Sequence, residues 1–167
     1  VYTVARHTPQ IPGLIRYPST QAEIEENKVL LSDLTAADIL PAVLVNGESS
    51  LLAEADECLF MDKTNEEASA RYGFPVMTFV IAVDLESESM LGASCYLGSV
   101  SGVYVSESAI YLTQAEGYGE ESRTLVHSFK TSGSLTYQGS GSVDGHLSSR
   151  GEVDFRISEH AGYLRVV

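Results

Sequence analysis

Tryptophan is absent from this 167-residue chain, cysteine occurs only twice, and lysine and arginine together number 10. Against 23 acidic residues, for a net charge of −13, that shortage of cations excludes a nucleic-acid or anionic-membrane surface, because neutralising phosphates takes clustered Lys and Arg. No stretch approaches the roughly 20 consecutive apolar residues of a membrane-spanning helix, so no membrane span is expected. Cys58 and Cys95 are too few for a disulfide framework and lack the CxxC spacing of a zinc or redox motif. The sequence leaves open whether they pair: a buried thiol is the plainer reading of Cys95, which lies in an apolar strand, and spacing does not supply the separation a bridge requires. The first residues, Val1-Tyr2-Thr3-Val4, have neither a Met nor the charged region of a signal peptide. Both termini read as cuts, so a missing leader carries no information about location.

What is present is a globular composition, 44% hydrophobic with a mean hydropathy of +0.02, and an internal repeat. Ser106-Glu107-Ser108-Ala109-Ile110-Tyr111-Leu112 returns as Ser158-Glu159-His160-Ala161-Gly162-Tyr163-Leu164, an offset of 52 (106 to 158) with five of seven residues kept. Upstream, Tyr96-Leu97-Gly98-Ser99 returns as Tyr137-Gln138-Gly139-Ser140 at an offset of 41 (96 to 137), leaving 11 extra residues (52 against 41) in the second copy. Short strands repeating every roughly 40 to 50 residues are the rhythm of β-propeller blades, four-stranded sheets packed face to face. A closed ring takes about four to eight blades, for which this chain is too short. The expectation is a mainly β fold, antiparallel blades of a partial propeller occupying residues 1–167 as one domain, with a small helical insertion.

The first strand spans residues 2–6, and Pro9 with Ile11-Pro12-Gly13 stops it by removing donors and regular dihedrals. Ser19 and Thr20 then offer hydroxyl caps to a helix over 21–31 with acids in its first turn. A second, short helix covers 36–40 and closes before Pro41. Asn46-Gly47 suits a tight hairpin turn between 42–45 and 51–52. The acidic stretch 54–72 reads as a long surface loop, so residues 10–73 form an insertion between two strands of one blade. From Phe74 onward the chain is regular β text, with strands at 76–85, 93–97, 102–106, 109–113, 124–130, 134–138, 154–158 and 163–167 separated by Gly, Ser and Asp clusters. Residues 102–143 make one whole blade, flanked by an outer half-blade (76–98 with the first strand) and an inner half-blade (154–167). Repeats bury their faces only against neighbours. Both end sheets therefore call for a cover, either the remaining blades of a larger parent chain or self-association.

Phe79-Val80-Ile81-Ala82-Val83-Asp84-Leu85, Tyr96-Leu97-Gly98-Ser99, Val103-Tyr104-Val105-Ser106, Val126-His127-Ser128-Phe129, the segment from Gly141 to Leu147 and that from Ile157 to Val166 resemble a bacterial and archaeal family. It is that of predicted secreted proteins with a C-terminal β-propeller domain distantly related to WD40 repeats. The insertion, with its Arg6-His7-Thr8-Pro9 start, its helix and a cysteine before the loop, is similar to the family as well. The resemblance implies a secreted or cell-envelope protein. It carries over no catalytic residue, and any central-channel site assembled from several blades would be incomplete in this chain.

Candidate chemistry is sparse. Asp144-Gly145-His146 with nearby Ser149 offers an acid, a base and a nucleophile, but an Asp-Gly turn accounts for the same letters through backbone geometry. There is no GxSxG elbow and no HExxH pair. His7, His127, His146 and His160 fall in different elements, and His127 reads as a packing residue within a strand. Glu54, Asp56, Glu57 and Asp62 carry oxygen ligands suited to calcium but miss the regular loop motif, so a metal stays an open question and a solvated loop is the simpler reading. Gly139-Ser140-Gly141-Ser142 precedes no helix and reads as a strand bend rather than a phosphate cradle. Tyr96, Tyr111, Tyr137 and Tyr163 recur with the repeats and read as blade packing.

The function expected is a non-catalytic binding or scaffold module without a cofactor, contacting a protein or envelope polymer through the insertion. The alternative is a hydrolase-type enzyme whose site forms only in a complete channel. A pocket lined by carboxylates or imidazoles favours the second, and exposed apolar side chains on residues 20–52 favour the first.

Overall fold

In a computed structural model, which describes residues 1–59, 76–117, 119, 122–147 and 153–167, the chain opens with strand β1 (Tyr2–His7). Helices α1 (Gln21–Ser32) and α2 (Ala36–Ile39) follow, then the hairpin β2 (Ala42–Val45) and β3 (Glu48–Leu51), a 3₁₀ turn (Ala55–Glu57) and β4 (Cys58–Leu59). The regular portion comprises β5 (Met77–Asp84), β6 (Ser89–Leu97), β7 (Gly102–Val105), β8 (Ala109–Glu116), β9 (Arg123–Lys130) and β10 (Thr136–Asp144). A helical turn α3 (Val153–Arg156) leads into the hairpin β11 (Ile157–His160) and β12 (Tyr163–Val166). These elements form two compact units, Val1–Gly98 and Ser99–Val167.

The first unit is built around β5, whose apolar run is buried on both faces. Its sheet has the order β1-β5-β6-β4; β1 and β6 flank β5 antiparallel, and β4 joins the far edge of β6 in parallel. Because side chains alternate along a strand, Met77 and Phe79 face one way and Thr78, Val80 and Ala82 the other, and all five are buried. The face of Met77 and Phe79 packs into a cluster with Leu40, Leu52, Ala53, Cys58 and Cys95, with Ile39 and Val43 at its margin. The segment between β1 and β5 thus covers this sheet face from within the chain.

The second unit contains the meander β10-β9-β8-β7, antiparallel throughout, and a separate β11-β12 hairpin. Here β9 occupies the doubly buried position, with Thr124, Leu125, Val126, His127 and Phe129 all out of solvent. The strand expected over 154–158 is different: a helical turn occupies Val153–Arg156 and the strand starts at Ile157. The Gly-Ser run belongs to β10, and its bend is a bulge between Tyr137 and Gly139, where Gly139 adopts a φ of 146°.

The two four-stranded sheets share a latch that the sequence landmarks misplace. Thr78 Oγ1 donates to the Gly98 carbonyl at 2.8 Å while Gly98 N donates to Val76 O at 2.8 Å. Thr124 Oγ1 donates to the Gly145 carbonyl at 2.8 Å while Gly145 N donates to Ser122 O at 2.8 Å. Gly98 therefore corresponds to Gly145, not to Gly139, and the second landmark pair is a coincidence of letters. Tyr2 pairs with Ala82 as Tyr111 pairs with Ser128, which gives β1 the place of β8. The first landmark pair does mark two hairpins, β7-β8 and β11-β12, although four residues separate Val105 from Ile110 and only Ala161-Gly162 separates His160 from Tyr163.

Thr124 does more than Thr78, since its oxygen also accepts from the buried Leu147 N at 2.9 Å. Thr124→Val leaves that amide and the Gly145 carbonyl unpaired and is expected to cost about 2–3 kcal/mol, with Thr78→Val costing about 1 kcal/mol less. Urea unfolding of the two variants checks the order; equal costs would refute the double role.

Candidate interaction surface

In the segment between β1 and β5, local signals fix each element. Thr20 caps α1 by accepting from Glu23 N at 3.3 Å, and the Glu23 carboxylate accepts from Thr20 N at 2.9 Å, a reciprocal capping box. Backbone donors at Ser19 and Thr20 hold the Glu23 carboxyl below its usual range. Thr35 and Asp38 repeat the box on α2, and Asn46 and Gly47, with φ of 52° and 86°, make the two-residue turn that joins β2 to β3. Asn27 fastens α1 to the preceding loop through two bonds with the Ile15 backbone, at 2.9 and 2.8 Å. His7 Nε2 lies 3.1 Å from Ile39 O, tying the end of β1 to α2.

The strongest tie is covalent. Cys58 and Cys95 form a disulfide across 37 residues, with Cα atoms 4.4 Å apart, and face each other in the β4-β6 pairing. Whether the two cysteines pair, which the sequence leaves open, is answered by this bridge. The spacing of the two cysteines gave no sign of it, because β4 is a two-residue edge strand inside a stretch that reads as loop. Outside this anchorage the segment is open. Helix α1 buries none of its residues, and Val29, Leu31 and Leu44 are 65%, 47% and 71% exposed.

A second surface lies in the other unit. A shallow cleft of about 380 Å³ is lined by Val126, Ser128, residues 138–143, Leu164 and Val166, with no carboxylate or imidazole in its wall. The β11-β12 hairpin that forms one side is fixed by Glu159, whose carboxylate accepts from Ser108 Oγ at 3.0 Å and from Tyr111 OH at 3.1 Å. Glu159 N donates to Tyr104 OH at 3.2 Å. Hydroxyls of Ser106, Ser108 and Tyr111 lower the Glu159 pKa, whereas burial and the Glu159 hydrogen bond raise that of Tyr111. Of the repeating tyrosines, Tyr96 is buried and Tyr137 packs edge-on to Phe129 at 5.3 Å. Tyr163 departs from blade packing, at 75% exposed.

The candidate catalytic letters do not converge. Asp144 ends β10 opposite Arg123, Gly145 turns the chain with a φ of 89°, and His146 Nε2 lies 2.9 Å from Glu116 O, while Ser149 falls outside the described residues. His127 is buried with Nδ1 3.4 Å from Tyr137 OH, and His160 is exposed at the end of β11. Glu54, Asp56 and Glu57 are exposed around the 3₁₀ turn, and Asp62 lies outside the described residues. Among the described residues no group of three His, Cys, Asp or Glu is gathered for a metal.

A family model described as a β-propeller domain matches residues 1–167. The chain belongs to the β-propeller domain family. The match spans the segment between β1 and β5 as well as the regular sheets. No curated protein and no solved structure matches the chain. No helix among the described residues is long and apolar enough to cross a membrane.

Removing the bridge by Cys58→Ser with Cys95→Ser is expected to cost about 3–4 kcal/mol for a loop of this length, read as a drop in the urea midpoint that dithiothreitol reproduces in the parent protein. A midpoint indifferent to reduction would refute the anchorage. Burial lowers the pKa of His127, so on acidification the unfolded chain takes up its proton first, as pH falls through about 6.5. The stability from neutral His127 is therefore complete above that value and lost below it. Glu159, also depressed, loses its contribution at lower pH still. The urea midpoint should fall between about pH 7.5 and 5.5, with a shallower fall in His127→Gln; a parent protein more stable at the acidic end would contradict this.

Proposed function

We propose that this β-propeller domain is a non-catalytic binding or scaffold module of a secreted or cell-envelope protein, contacting a protein or envelope-polymer partner through α1 and the β2-β3 hairpin. One observation carries the reading: α1 buries none of its residues and, with the hairpin, displays Val29, Leu31 and Leu44. A 12-residue helix is marginal in water without a packed face, and a helix that gains one on binding is a natural contact element. The sheet supplies a rigid base, since the same segment is anchored through Leu40, Leu52 and the Cys58–Cys95 bridge. The disulfide supports an oxidising compartment. The acid-free and imidazole-free cleft favours binding over hydrolysis.

Photo-crosslinking residues at Val29 and Leu44, in the protein expressed in its own cells, test the proposal. Adducts to a defined partner are expected from both positions, lost on Leu31→Asp and absent when the crosslinker replaces Leu91 of β6, which is comparably exposed. Thiol labelling of intact cells is expected to find Cys58 and Cys95 oxidised. Adducts arising equally at Leu91, or cysteines found reduced, would sink the reading.

A further inference from the structure

From the turn that joins β2 to β3, we propose that Asn46 is a site of spontaneous modification: its side-chain amide is lost to attack by the backbone nitrogen of Gly47, and the product undoes the hairpin. The two reacting groups are adjacent, exposed and unengaged. Val45 and Glu48 form the last ladder pair of the hairpin, so the Gly47 N–H lies outside the ladder. Among the described residues neither it nor the Asn46 carboxamide makes a hydrogen bond. Gly47 has no side chain to hinder the approach, and nothing lies within 4 Å of the position a Cβ would take. Ring closure requires the turn to open far enough for the Gly47 nitrogen to reach the side-chain carbonyl. The hairpin allows this, because β2 and β3 form a sheet with no third strand among the described residues, an arrangement marginal in water.

The reaction takes no co-reactant other than water. The Gly47 nitrogen bonds to the Asn46 side-chain carbonyl carbon, the bond from that carbon to the amide nitrogen breaks, and ammonia leaves carrying the Gly47 proton. Water then opens the imide at either carbonyl, leaving aspartate or the isomer whose main chain runs through the side-chain carbonyl. The isomer lengthens by one carbon a connection that depends on left-handed φ at Asn46 and Gly47, 52° and 86°. The loss falls on Val43 and Leu51, which β2 and β3 lay against the core cluster of the first sheet. Two comparable sites lack this freedom. Asn27 is bonded through its amide to the Ile15 backbone at 2.9 and 2.8 Å within α1, and at Asp144-Gly145 the glycine nitrogen donates to Ser122 O at 2.8 Å. The modification needs no partner on α1, so this proposal and the functional reading can fail separately.

Peptide mapping by mass spectrometry tests this on the purified full chain, held at neutral pH and physiological temperature beside a synthetic peptide of residues 43–51. A gain of about 1 Da confined to the Asn46 fragment is expected, together with labelling of that fragment by an isoaspartyl methyltransferase. Because so slight a hairpin opens readily, its rate should lie within about tenfold of that of the free peptide. Asn27 is expected to stay intact and Asp144 unlabelled over the same period. Once the chain is converted, hydrogen exchange in β2 and β3 should quicken while that in β9 stays unchanged. A chain that reacts more than tenfold slower than the peptide, that reacts equally at Asn27, or that keeps its β2-β3 protection after conversion would overturn the proposal.

Discussion

A strand that is apolar on both faces has to be covered twice, and β5 and β9 impose that requirement on everything around them. In β5 the demand extends from Met77 to Ala82, and one of the two covers is a segment inserted between this strand and its neighbour β1. In β9 it extends from Thr124 to Phe129. The acidic, polar surface of the chain is confined to what this packing leaves outside.

Two polar devices order each unit without breaking its apolar faces. The threonine at the start of β5 or β9 donates to a glycine carbonyl beyond the end of the next strand, which sets how far the two strands overlap. Glu159 gathers hydroxyls from Ser108 and Tyr111 and sets where one hairpin lies on the next. The first satisfies groups that would otherwise be costly to bury, since Thr78 and Thr124 are out of solvent. The first segment is held differently: its own apolar cluster is small, and the Cys58–Cys95 bridge fastens it to the sheet.

Most of the architecture is legible in the letters. The doubly buried run from Val76, the Thr20 and Thr35 caps, the Asn46-Gly47 turn and the Ser-Glu-x-Ala-x-Tyr-Leu repeat are local signals whose physics acts over a few residues. What escapes is set by tertiary partners. The Thr-Gly latch joins residues about twenty apart, and the letters around Gly139 resemble those around Gly98 although the latch makes Gly145 its counterpart. The disulfide depends on a two-residue edge strand with no periodicity to announce it. Exposure of Val29, Leu31 and Leu44 follows from which side of the segment packs on Phe79, a choice that the apolar letters of α1 alone do not make.

The covering of β5 by the disulfide-anchored segment is the centre of this account, and hydrogen exchange read by mass spectrometry before and after reduction tests it most directly. The account predicts that β5 and β9 are the slowest-exchanging strands in the oxidised protein, and that reduction quickens β5 while leaving β9 unchanged. Exchange in β5 that is as fast as in the exposed strand β10, or that does not respond to reduction, would contradict it.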